Sequence, residues 1–182
     1  NSELLAYRTE SSIELISLGV PGEPRVIERQ ADVPPFRGRG ETIAFAPDLT
    51  AIAYTTTYGA RIFHDLGTVA AYSDLREGLF VDLSWSPDSR FLAARTDADV
   101  WWVYRREGTQ MLLASVIPAS AGIAWVSGGQ LIFTPPEGGL LLMDLDRANA
   151  QTIILDAQWS YALPALNAAD DLVFFGRDKA DT

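Results

Sequence analysis

The sequence has no cysteine, one histidine (His64), one lysine (Lys179) and no apolar run approaching a membrane span. Without cysteine there can be no disulfide, no thiolate-ligated metal and no thiol nucleophile. A single histidine cannot build a histidine-ligated zinc centre. His64 is followed by Asp65, yet no G-x-S-x-G elbow stands anywhere in the chain. A serine-hydrolase reading therefore has no nucleophile, and His64 is read as a satisfied or surface histidine. Basic charge is scarce: the formal net charge is −10 and the isoelectric point about 4.4. That balance argues against nucleic acid or an anionic membrane surface as partner, and no membrane insertion is expected. No stretch carries a sustained i, i+3, i+4 apolar face, so helices are not required.

What the chain has is aromatic residues and a repeat. Ile43-Ala44-Phe45-Ala46-Pro47-Asp48 recurs as Leu83-Ser84-Trp85-Ser86-Pro87-Asp88 and as Ile123-Ala124-Trp125-Val126-Ser127-Gly128, with the aromatic residues 40 apart at 45, 85 and 125. A weaker copy stands at Leu166-Asn167-Ala168-Ala169. Each copy continues through a polar turn into a compact apolar run, such as Ala51-Ile52-Ala53-Tyr54, Phe91-Leu92-Ala93-Ala94 and Leu131-Ile132-Phe133. Two further runs follow, each behind its own turn. The pattern predicts four short strands per repeat. The second run does not alternate, which is what a strand covered on both faces shows, as when one sheet is stacked between two others.

The expected fold is all-β, a β-propeller with about four to five four-stranded blades present. The repeat divides the chain into a partial blade at 3–30, blades at 42–75, 80–117 and 121–157, and a partial blade at 160–176. Trp85 and Trp125 occupy equivalent inner positions and are expected to be buried. Two closures are open. One is a small ring in which the spare first strand near the C-terminus completes the first blade. The other is an arc of a larger propeller whose incomplete ends self-associate, favoured because a bare Leu172-Val173-Phe174-Phe175 strand invites pairing.

The segment Trp85-Ser86-Pro87-Asp88-Ser89-Arg90-Phe91-Leu92-Ala93 resembles the W-S-P-D-G-x-x-L/I-A signature of TolB-like and WD-repeat-like propellers, with Ser89 where the family usually has glycine. The match is weaker at 45–53, and the later copies replace Pro-Asp by Ser127-Gly128 and by Ala168-Ala169. The resemblance implies a propeller of about six blades and an extracytoplasmic setting. It is structural and leaves function open.

Few residues suggest chemistry. Asp97 and Asp99 share one turn and Asp144 and Asp146 another, but neither pair has the spacing of a calcium loop, so they read as turn-forming carboxylates. In Val100-Trp101-Trp102-Val103-Tyr104 the two Trp side chains must leave opposite faces of a strand and cannot form one base-stacking platform. The longest irregular stretch, 33–40, has two Pro, two Gly and two Arg and is the leading binding-loop candidate. Loops joining fourth to first and second to third strands should share one face, which would hold Phe36, Arg37, Arg39, Tyr58, Asp97, Asp99 and Trp159. The expected function is a non-enzymatic interaction or scaffold module that binds a protein or peptide there, with no catalytic residue, metal or cofactor assigned. The alternative is an accessory propeller of a prolyl-oligopeptidase-type hydrolase, gating a catalytic domain outside this chain.

Overall fold

The computed structural model describes residues 4–9, 12–19, 22–29, 42–64, 71–118, 122–126, 129–154, 159–166 and 172–178, with the backbone alone at 159–163, 166 and 172–178. These residues form seventeen strands and no helix. Sheet I comprises β1 (Leu4–Arg8), β2 (Ser12–Ser17) and β3 (Arg25–Arg29). Sheet II comprises β4 (Ile43–Phe45), β5 (Ala51–Thr55), β6 (Ala60–His64) and β7 (Ala71–Asp74). Sheet III runs through β8 (Phe80–Trp85), β9 (Phe91–Thr96), β10 (Val100–Glu107) and β11 (Gln110–Pro118). Sheet IV holds β12 (Ile123–Val126), β13 (Gln130–Phe133), β14 (Leu140–Asp144) and β15 (Asn149–Ile154), and sheet V pairs β16 (Trp159–Leu166) with β17 (Leu172–Asp178). Every pairing is antiparallel between chain neighbours, so each sheet is a meander.

The core lies between sheets. Ile13, Leu15 and Ile27 of sheet I meet Ile52, Tyr54 and Phe63 of sheet II. Ala51, Ala53 and Ile62 meet Phe80, Leu83, Trp85, Leu92 and Tyr104 of sheet III. Phe91, Ala93, Trp101 and Val103 meet Leu131, Phe133 and Leu145 of sheet IV. Successive side chains of a strand point to opposite faces, so β5 gives Ile52 and Tyr54 to one neighbour and Ala51 and Ala53 to the other. All five residues of β5 are buried, which accounts for the missing alternation in its sequence. Trp101 and Trp102 separate in the same way: Trp101 is buried between sheets III and IV, whereas Trp102 packs half-buried against the sheet II–III core.

The repeated aromatic positions fasten consecutive sheets. The Trp85 indole N–H donates to the Ala44 carbonyl at 3.1 Å, and that of Trp125 to Ser84 Oγ at 3.0 Å. Trp85 is buried, whereas Trp125 is only part-buried, stacked on Phe91 with ring centroids 6.4 Å apart. In the first-to-second turn, Ser86 donates to Asp88 Oδ1 at 2.6 Å and accepts the Phe91 N–H at 2.9 Å, while Asp88 Oδ1 accepts the Arg90 N–H at 3.2 Å. Asp48 repeats this, accepting the Thr50 N–H at 2.9 Å. The Pro-Asp signature is thus a self-satisfied turn.

Candidate functional site

Each meander places its second-to-third turn at the end from which the next fourth-to-first connection leaves. Among the described residues that end carries the second-to-third turns and the loop at 75–79, and we call it the upper face. A threonine closes these turns in successive sheets. Thr9 Oγ1 lies 2.8 Å from Ser12 Oγ, Thr56 Oγ1 accepts the Gly59 N–H at 3.1 Å, and Thr96 Oγ1 donates to the Val100 carbonyl at 3.3 Å. Thr134 takes the corresponding place after β13 and is buried. Aligning the repeats would have shown this threonine, since Thr56 and Thr96 are spaced by the repeat.

On sheet II the turn is locked to the following loop. The Leu75 N–H donates to the Ala60 carbonyl at 2.8 Å, and that of Gly78 to the Tyr58 carbonyl at 3.1 Å. Gly59 is required here because a Cβ would stand 2.6 Å from the Arg76 carbonyl oxygen. Arg76 extends over the Trp102 ring at 3.9 Å, joining the loop to sheet III. Tyr58 is left 69% exposed above a cleft of about 370 Å³ lined by Thr56, Gly59, Ala60, Arg61, Leu75 and the carboxylates of Asp74 and Glu77. Arg61 is spoken for: it pairs with Asp74 and, at 2.7 Å, with Glu28, which also accepts the Tyr54 hydroxyl at 2.9 Å. Burial and the adjacent Glu28 carboxylate push the Tyr54 hydroxyl far above its ordinary range, so it remains a donor.

The turn carboxylates divide. Asp99 adopts φ +56° and pairs with Arg95 at 3.0 Å, and Arg95 also reaches Asp82 at 3.6 Å. Asp97 is exposed beside it. Asp144 Oδ1 accepts the N–H groups of Asp146 and Arg147, each at 3.1 Å. Among the described residues no group of three or more His, Cys, Asp or Glu could hold a metal ion. Of the sequence candidates, the structure sets Tyr58 on the cleft and Asp97 and Asp99 on the next turn of this face. Trp159 opens β16 opposite Asp178, its side chain lying outside the described residues, as do Phe36, Arg37 and Arg39.

At the lower ends several charges pair across sheets. Arg106 reaches from sheet III to Asp48 at 3.2 Å and to Thr50 Oγ1 at 2.8 Å. Arg90 bridges Asp88 at 2.7 Å and Asp146 at 3.0 Å, and Arg105 adds a 3.5 Å contact to Asp146. Burial pushes the Asp48 carboxyl up, but the Thr50 N–H and hydroxyl and the Arg106 guanidinium outweigh it and hold the group below its usual range. Asp88 behaves likewise through Ser86 and Arg90.

His64 is buried, with Nε2 2.9 Å from Ser73 Oγ, and the Ser73 hydroxyl donates onward to the Thr109 carbonyl of sheet III. A hydroxyl committed to a carbonyl is not activated toward attack. The pair ties sheet II to sheet III.

No family model matches the sequence, and no curated protein is significantly similar to it. Solved structures are similar in fold. The propeller domain of Swd1 (Cps50) from Myceliophteria thermophila gives a TM-score of 0.56 at 9% identity, over 93% of this chain and 64% of that one. The C-terminal WD40 domain of Sif2 gives 0.63 at 13% identity, over 94% and 51%. The Dos1 propeller gives 0.62 at 9% identity, over 97% and 49%. The chain thus has the β-propeller fold and spans between about half and two thirds of these structures. At such identities the likeness is one of fold.

Proposed function

We propose that this chain is a non-enzymatic interaction module that holds a protein or peptide partner on its upper face. The observation that carries the reading is the preformed cleft at the upper end of sheet II, set against the inter-sheet ion pairs at the lower end. Below, Asp48, Asp88 and Asp146 are each paired with arginines of their own or a neighbouring sheet. Above, Tyr58 and Glu77 stand exposed on a cleft whose backbone is already fixed, and Leu79 and Asp97 are exposed on the same face. Preformed concave surface with exposed aromatic and charged groups is what recognition uses. The WD40 propellers among the similar structures fit a scaffold role. Within that class, the Trp85-Ser86-Pro87-Asp88 turn is the feature that points to a TolB-type repeat.

Sheets I to V are read as successive blades at 3–30, 42–75, 80–117, 121–157 and 160–176. The three-stranded first and two-stranded last are edges at which further chain or a second copy would complete a blade. The partner face is tested by panning a random peptide library on the pure protein and mapping a selected peptide by hydrogen exchange. Protection should fall on the turns at 56–59 and 96–99 and the loop at 75–79. Protection confined to the lower turns at 47–50, 86–90 and 145–148 would refute the reading.

A further inference from the structure

The cleft beside Tyr58 has a charge that selects its occupant. Asp74, Glu77 and Arg61 are the charged residues lining the cleft; Arg61 is shared between Asp74 and Glu28 behind it, and Glu77 has no ion pair among the described residues. Arg76, beside Glu77 in the chain, lies over the Trp102 ring and donates to the Glu77 backbone carbonyl at 3.1 Å. The exposed Tyr58 ring forms one wall and Thr56, Gly59 and Ala60 line the small-residue floor. An aromatic face beside a cluster with net acidic charge attracts a cation by ring quadrupole and by charge together. The cleft, of about 370 Å³, has room for a single long side chain. Because the Gly78–Tyr58 and Leu75–Ala60 backbone bonds already hold both walls, little ordering is needed on binding.

We propose that this cleft receives a basic side chain, arginine or lysine, from an extended segment of a protein partner, with Glu77 facing its charge and Tyr58 its stem. The proposal rests on the reading of the upper face as the partner surface and adds the chemistry of what enters it.

Fluorescence polarisation with labelled decapeptides tests it, using alternating Ser–Arg, Ser–Lys and Ser–Glu sequences at moderate salt. The two basic peptides should bind and the acidic one should not. The stronger basic peptide identifies the preferred head group. Glu77→Gln and Tyr58→Ala should each weaken basic-peptide binding about tenfold. Both side chains are exposed, so neither change should disturb the fold, and unchanged thermal melting checks this. Glu107→Gln, an exposed acid on the lower hairpin between β10 and β11, should leave binding unaltered. Equal losses in Glu107→Gln and Glu77→Gln would reduce the effect to general attraction toward an acidic protein and overturn the proposal. So would basic-peptide binding indifferent to both cleft variants, or no basic-peptide binding at all. If library-selected peptides lack basic residues yet protect the upper turns from exchange, the cleft proposal fails while the partner-face reading stands.

Discussion

The turn positions 49, 89 and 129 show how one backbone demand is met by three different residues. Leu49, Ser89 and Gly129 all have left-handed φ, at +57°, +61° and +75°. A residue with a Cβ pays roughly 1–2 kcal/mol there. Ser89 offsets part of this by accepting the Asp48 N–H at 2.9 Å across the sheet boundary. Leu49 is 49% exposed and makes no such bond among the described residues. Leu49→Gly should therefore raise stability by about 0.5–1 kcal/mol after the added chain entropy of glycine. Gly129→Ala should lower it by more than about 1 kcal/mol, since its Cβ would stand 2.6 Å from the Phe91 ring in addition to the backbone strain. Urea unfolding midpoints decide both. A Leu49→Gly protein less stable than the parent would show that this side chain contributes packing the conformation does not reveal. The glycine slot is legible from the W-S-P-D-G resemblance at Ser89. The reason serine tolerates it is a contact with residue 48, which no local pattern displays.

Among elements, the second strands were the most legible, because a strand buried on both faces loses its alternation, as Ala51-Ile52-Ala53-Tyr54 does. The inter-sheet ion pairs were not. Arg106 and Asp48 are 58 residues apart and Arg90 and Asp146 are 56 apart, so only stacking of the lower turns brings them together. Those turns predict acid lability. The Asp48, Asp88 and Asp144 carboxyls are held below their ordinary range in the folded chain by turn N–H groups and arginines. A depressed folded value means the unfolded chain binds protons more readily. The stabilisation is then complete above the usual carboxylate range and disappears as pH falls through it. Thermal melting should accordingly be flat from neutral pH to about pH 5 and fall steeply below about pH 4. Asp48→Asn should flatten that fall at a cost, near neutral pH, within the roughly 1 kcal/mol ceiling of solvent-screened pairs. A melting curve with equal slope in parent and variant would detach Asp48 from the acid transition.

At the scale of the molecule, the period of 40 between Phe45, Trp85 and Trp125 marks the stacking unit, and the structure shows why an aromatic recurs. Trp85 and Trp125 each reach back to the preceding first strand with an indole N–H. The upper-face cleft was only partly legible. Tyr58 could be placed on the face from turn order, but its walls come from β6, the end of β7 and the loop beyond, and Arg61, Asp74 and Glu77 carry no local signal of convergence. Stacking by nearest neighbours has an energetic consequence. Tyr54→Phe removes a bond from its hydroxyl to Glu28 at the sheet I–II boundary, leaving Glu28 paired with Arg61. Trp125→Phe removes the bond to Ser84 at the sheet III–IV boundary. Each should cost about 1 kcal/mol, the usual net worth of one such bond, with some further loss of ring contact for Trp125. The two sites belong to separate clusters that share no residue, since Tyr54 packs with Ile13, Leu15 and Ile27 and Trp125 with Phe91 and Leu131. Distant, unconnected sites add, so the double variant should fall within about 0.5 kcal/mol of the sum. Trp85→Phe with Trp125→Phe should depart further from additivity, because Ser84 accepts from Trp125 and adjoins Trp85 in the same strand. Denaturant titration of the parent and the five variants resolves the comparison. A coupling of the distant pair as large as that of the near pair would mean that the sheets melt through one shared core, with sheet-to-sheet boundaries carrying no separate energy.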